Sequence, residues 1–180
     1  MGIARSLGLT IAVALFASLA MPAVAQDAKL SDFAGTYQGS GVAEGRDNVY
    51  FTVTARDLDV SIRPKNGGFE ITWTTITHGT TRGQRIVRKS ETVAFVATER
   101  PNVFRAATPV EPLSGAPYYW ARIAGRTLTV YALLTASNGA YELASWTRTL
   151  NSNGMDLTFR RLSDGEAART VRGKLVRVAP

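Results

Sequence analysis

Residues 57–63 read Asp57-Leu58-Asp59-Val60-Ser61-Ile62-Arg63, an unbroken alternation of polar and apolar side chains. A strand turns successive side chains to opposite faces. Leu58, Val60 and Ile62 therefore share one face and the charged residues the other. Pro64-Lys65-Asn66-Gly67-Gly68 supplies a turn, because Asn and Gly tolerate positive φ. Phe69, Ile71 and Trp73 then resume on a return strand, with Glu70, Thr72 and Thr74 opposite. This is the pattern of a β-hairpin, and it constrains the chain more than any other feature.

The same pattern continues downstream. Strands are predicted over 85–97, 103–107, 118–123, 127–135, 141–150, 155–162 and 170–178, with two more at 36–43 and 49–62. Turn signals separate them: Arg100-Pro101-Asn102, Ala124-Gly125-Arg126, Ser137-Asn138-Gly139, Asn151-Ser152-Asn153-Gly154 and Ser163-Asp164-Gly165. Strands joined by successive short turns form a meander, and about nine or ten of them must curl so that no bare edges remain. The predicted fold is all-β: an antiparallel up-and-down barrel over 35–180, with a two-sheet sandwich as the runner-up. A short helical or coil lead-in is predicted over 26–34, with Ser31 as its cap.

The first 25 residues have a different character. Arg5 is followed by an uncharged apolar run from Leu7 to Leu19, then Pro22 and the small-residue pattern Ala23-Val24-Ala25. This reads as a secretory signal peptide cleaved near Ala25, leaving a periplasmic or secreted chain that starts at Gln26. An outer-membrane barrel is argued against by its requirements. Its strands carry an apolar stripe towards lipid, whereas here one face of most strands carries Arg, Asp, Glu or Thr.

At Asp32-Phe33-Ala34-Gly35-Thr36-Tyr37 the chain resembles the start of lipocalin-like (calycin-type) barrels. Those begin with a short helical turn and a Gly-x-Trp on the first strand; Tyr37 stands here at the Trp position. The resemblance implies that the Tyr37 ring plugs the closed end of a barrel. It also implies that an arginine of the last strand, Arg172 or Arg177, packs over the ring. The chain is also similar to small exported bacterial proteins, a likeness that implies no activity.

Composition excludes much chemistry. There is no cysteine, which removes disulfides, thiolate metal sites and cysteine nucleophiles, and the chain has one histidine. His78 has no visible nucleophile or orienting partner, so no catalytic residue is assigned and an enzyme is not expected. Asp57 and Asp59 share a strand face, but calcium needs more oxygens, usually on a loop. No metal site is expected, and with no cofactor motif present no cofactor is expected either.

Two functional readings remain. The net charge of +7 and the basic run Arg82, Arg85, Arg88 and Lys89, with a second region at 160–177, suggest an anionic partner. For an exported chain that partner would be a cell-envelope component rather than nucleic acid. This gives the alternative reading, a packed barrel acting through its basic surface. The first reading rests on aromatic residues. Inward rings of a barrel line a cavity for a small hydrophobic or amphipathic ligand. Tyr37, Phe69, Trp73, Tyr119 and Tyr141 are the candidate ligand-binding residues. Tyr119 and Tyr141 are included because they share faces with Ile123 and Leu143. Trp146 shares its face with Glu142 and Arg148, which argues for the outside. A monomer is expected.

Overall fold

The computed structural model describes residues 26–45, 54–77 and 87–180. A 3₁₀ turn, Leu30–Phe33, leads into ten strands: β1 Gly35–Gly45, β2 Thr54–Lys65, β3 Gly68–Thr77, β4 Val87–Ala97, β5 Val103–Ala106, β6 Tyr118–Ala124, β7 Thr127–Thr135, β8 Tyr141–Leu150, β9 Gly154–Ser163 and β10 Glu166–Ala179. Each strand pairs antiparallel with its sequence neighbours, and β1 pairs with β10, so the meander closes into a barrel. Closure removes both sheet edges, the physical reason a meander of this length curls.

Alternation sends one side chain set inward. Leu58, Val60 and Ile62 on β2 face Ile71 and Trp73 on β3, in register pairs Val60–Trp73 and Ile62–Ile71. Most of these chains are almost fully buried. The outer surface of the same strands is polar, with Thr72 bonded to Thr92 (2.8 Å) and Thr74 to Ser90 (2.9 Å) across β3 and β4. Apolar inside and polar outside is the reverse of a lipid-facing barrel. Among the described residues no helix is long and apolar enough to cross a membrane.

One end of the barrel is packed solid. Phe69 stacks on Phe95 (4.8 Å) and meets the edge of Phe104 (5.2 Å), beside Ile123, Leu128, Met155 and Leu175. Phe33 of the 3₁₀ turn and Tyr37 cap this end, both fully buried. Asp27 ties the lead-in to two turns: Asn102 Nδ2 (2.9 Å) and the Gly125 backbone N–H (2.6 Å) both donate to its carboxylate. The Tyr37 hydroxyl donates to the Phe33 carbonyl (2.9 Å) and accepts from Arg177. The choice left open between Arg172 and Arg177 thus falls to Arg177, whose guanidinium carbon lies 5.2 Å from the Tyr37 ring centroid. Arg172 is on the opposite, exposed face of β10.

The wall between β1 and β10 is smooth. Gly41 pairs with Gly173, and the Leu58 side chain packs across both. A Cβ on Gly173 would lie 2.7 Å from the Ser40 carbonyl oxygen and 3.0 Å from Leu58 Cδ1, so only glycine fits.

Some local expectations change. Pro64 and Lys65 belong to β2 rather than to the turn, which shrinks to Asn66 (φ 46°) and Gly67 (φ 76°). Two consecutive positive φ values match the right-handed twist of the flanking strands and allow pairing right up to the turn. The last hairpin is likewise tighter than predicted. Asp164 (φ 48°) and Gly165 (φ 84°) make the turn, so β10 begins at Glu166 and not at Thr170. The Asn138-Gly139 turn is looser: only Gly139 has positive φ (85°), and the Ala136 N–H bonds the Ala140 carbonyl (2.8 Å). Ser31 does not cap the 3₁₀ turn. It lies within it, and the Asp32 carboxylate accepts the Lys29 N–H instead (2.8 Å). His78, Arg82, Arg85 and the predicted strand segment 49–53 lie outside the described residues.

Candidate functional site

Above the packed end the barrel is hollow. A cavity of about 400 Å³ opens between the start of β4 and the inner faces of β8, β9 and β10. That volume falls in the range of small-molecule sites. Its walls are Leu58, Trp73, Trp146, Leu157, Phe159 and Val171. Three of these are aromatic and touch in sequence: Trp73 lies 5.1 Å from Trp146, and Trp146 lies 5.2 Å from Phe159.

β4 pairs with β3 from Val87 to Phe95, but with β5 only at Phe95, Val96 and Ala97. Above that point a seam separates β4 from β6. Tyr119 bridges it, donating its hydroxyl to Glu91 across a short contact and meeting the Trp73 ring edge-on at 6.3 Å. Burial, and then the bond to Glu91, push the Tyr119 hydroxyl above its ordinary pKa.

The electrostatics of the cavity come from β8. Arg148 lines it and is 0% exposed. Alternation along β8 sends Trp146, Arg148 and Leu150 inward, in register with Phe159, Leu157 and Met155 of β9. The guanidinium lies 5.9 Å from the Trp73 ring centroid. Its Nη1 makes one long bond, to the Trp146 carbonyl at 3.5 Å, while Nε and Nη2 are buried with no partner. Burial lowers the pKa from the ordinary guanidinium value to about 9, and no carboxylate among the described residues offsets that effect. At neutral pH the group is therefore a buried cation without a counter-ion among the described residues. Lys89 and Arg169 line the same cavity nearer its open end, with Asp59 as the one acidic residue among the lining positions. Glu142, also turned inward, lies 3.8 Å from Arg161.

The structure separates the residues singled out from sequence. Trp73 lines the cavity, and Tyr119 is in contact with it. Tyr37 and Phe69 are in the solid end, away from open space. Tyr141 is 39% exposed beside the β7–β8 loop, on the outer face of β8. The outer aromatic set also includes Tyr118, Trp120 and Tyr131, stacked along β6 and β7. Trp146 is inside, with Arg148, contrary to the expectation that a charged neighbour two residues away marks an outer face. The outer face of β8 carries Thr147 and Thr149, bonded to Thr129 (3.5 Å) and Thr127 (2.9 Å). Arg148 was missed because arginine is rarely buried alone. The available signal was its flanking by Trp146 and Leu150 at two-residue spacing, set against a run of hydroxyl side chains on the other face.

No family model and no curated protein matches the chain. Among solved structures the fold is similar to a protein of unknown function of the DUF3598 family from Nostoc punctiforme. The TM-score is 0.59 and the identity 13%, over 89% of this chain and 53% of that one. This chain thus spans about half of that protein's length. An S-type phycobiliprotein lyase from Guillardia theta aligns at a TM-score of 0.37 and 7% identity, over 82% of this chain and 89% of the lyase. At such identities the first likeness shows the barrel fold.

Proposed function

We propose that this barrel is a binding protein that holds a small amphipathic ligand in its interior, and that it works outside the cytoplasm once residues 1–25 are removed. The observation that carries the reading is the half-hollow interior. Among the described residues only one end of the barrel is filled, and the other half holds a pocket of about 400 Å³ with aromatic walls. A chain using its barrel only as a scaffold for a basic surface has no need of that space. The reading makes the protein a carrier or receptor module and not a catalyst.

Native mass spectrometry of protein purified from its own host tests this directly. A retained small molecule that is released on unfolding is the expected result. An empty protein that also fails to bind any apolar fluorescent probe would overturn the reading. N-terminal analysis of the same sample checks export, with Gln26 expected as the first residue; an intact Met1 on the processed, active protein would refute it.

A further inference from the structure

We propose that the ligand is an amphipathic monocarboxylic acid, bound head-inward with its carboxylate on Arg148 and its apolar body against Trp73, Trp146 and Phe159. The inference rests on the cavity-binding reading above and goes one step further, to the chemical class of the occupant.

Three features of the site lead there. Arg148 is a fully buried side chain that lines the cavity and leaves two of its three nitrogens without an acceptor. A buried ion is costly unless it is paired and hydrogen-bonded. A guanidinium offers parallel N–H groups that suit a carboxylate in a two-bond fork. Second, none of the nearby carboxylates is committed to Arg148: Asp59, which lines the cavity, projects from the face of β2 opposite Leu58 and Val60 and makes no ion pair with it. Glu91 accepts from Tyr119, and Glu142 lies against Arg161. Lys89 and Arg169 add positive charge towards the opening, which favours entry of an anion. Third, the remaining walls offer little but apolar and aromatic surface, so the rest of the molecule must be apolar. A single positive charge at depth matches one negative charge. A second anionic group at that level would be buried unpaired.

The orientation follows from the placement of the groups. Trp73 and Trp146 pack against each other 5.1 Å apart, with Trp73 beside the guanidinium, so the carbon chain next to the carboxylate would lie along the cavity-facing surface of this indole pair. The seam beside β4, spanned by Tyr119 and Glu91, is the lateral boundary of that space.

The test compares dodecanoate with dodecanol by titration calorimetry at neutral pH, below the concentration at which either aggregates. The wild-type chain, Arg148→Met and Arg148→Lys are measured in parallel. Wild type is expected to bind the acid at least about tenfold more tightly than the alcohol, the loss expected for about one charge-assisted pair. Arg148→Met should abolish that preference, so that acid and alcohol bind it equally. Arg148→Lys should keep part of it. Far-UV circular dichroism reports whether the methionine variant is folded; should it not fold, the wild-type preference and the lysine variant decide the matter.

Equal affinity of wild type for acid and alcohol would overturn the acid inference while leaving the cavity reading intact. A preference for the acid that survives in Arg148→Met would overturn the assignment to Arg148. Binding of neither compound would overturn the cavity reading itself, and the acid inference with it.

Discussion

The guanidinium of Arg148 lies 5.9 Å from the centroid of the Trp73 indole, although the two residues come from β8 and β3, strands that do not pair. They meet across the hollow of the barrel, where closure brings inner faces together. The contact places a cation over an aromatic face in a desolvated setting, an arrangement that favours both groups. It does not neutralise the cation, and the predictions below follow from that difference.

Trp73→Ala should destabilise the protein near the lower end of the usual range for emptying an aromatic site, about 3 kcal/mol. One side of the indole already faces the cavity, so truncation enlarges existing space instead of opening a void in dense packing. Urea unfolding measures the cost. The variant should also lose binding of an apolar fluorescent probe, because Trp146 and the Arg148 guanidinium lose the surface they rest on.

Arg148→Met should raise stability in the absence of ligand, by about 1–3 kcal/mol, since a buried unpaired charge is replaced by an apolar side chain of similar length. The gain depends on pH. The folded pKa of Arg148 is lowered by burial to about 9, well below that of a free guanidinium, so above pH 9 the unfolded chain binds the proton that the folded chain has lost. Wild-type stability should therefore rise through pH 9, and the advantage of Arg148→Met should shrink there. Tyr119 acts in the opposite sense. Its pKa is raised in the folded state, so its contribution is lost as pH climbs above 10, the ordinary value. Both chains carry Tyr119, and the difference between their stabilities isolates Arg148. Lys89, Arg169, Asp59 and Glu91 are the other charged groups near this space and are likewise common to both.

Tyr37→Phe should cost about 1–3 kcal/mol, because the buried Phe33 carbonyl loses its donor and Arg177 keeps only the Asp32 carbonyl of its two acceptors. Arg177→Met should cost less, as part of its guanidinium remains open to solvent in the wild type. The double variant should be less destabilised than the sum of the two, by about 1 kcal/mol, as expected for partners in one network. Thermal unfolding of the four proteins checks this, and strict additivity would show that the two side chains act independently.

Gly173→Ala should destabilise by about 1–3 kcal/mol, the usual penalty for overpacking. The added methyl meets the Ser40 carbonyl oxygen at 2.7 Å and Leu58 Cδ1 at 3.0 Å, and the first of these is backbone that can yield only by disturbing the β1–β10 ladder. Gly125→Ala, at a turn where a Cβ meets no atom within 4 Å, tests a different cost, the strain of φ 56° alone. The Gly173 variant should be the less stable of the two by equilibrium unfolding.

Much of the architecture was legible along the chain. Period-two alternation at Leu58-Val60-Ile62 and Phe69-Ile71-Trp73, together with Asn66-Gly67 and Asp164-Gly165, specifies strands and turns through local geometry alone, and a long meander has to close. What alternation leaves undecided is which face points inward when both faces are mixed. On β2 only one face is apolar and the answer is unambiguous. On β8 one face holds Leu143 with Ser145 and Thr147, the other holds Trp146 and Leu150 with Arg148, and neither is clearly apolar. The tertiary structure decides, because the register with β7 and β9 sets Trp146 beside Val130 and Phe159, and Arg148 is carried inward with it. The cavity is likewise a tertiary product. Its lining is gathered from β2, β3, β4, β8, β9 and β10, a relation between strands that no single segment contains. Local sequence therefore determined the strands, the turns and the closed barrel, while the global register alone placed an unpaired arginine at the heart of the site.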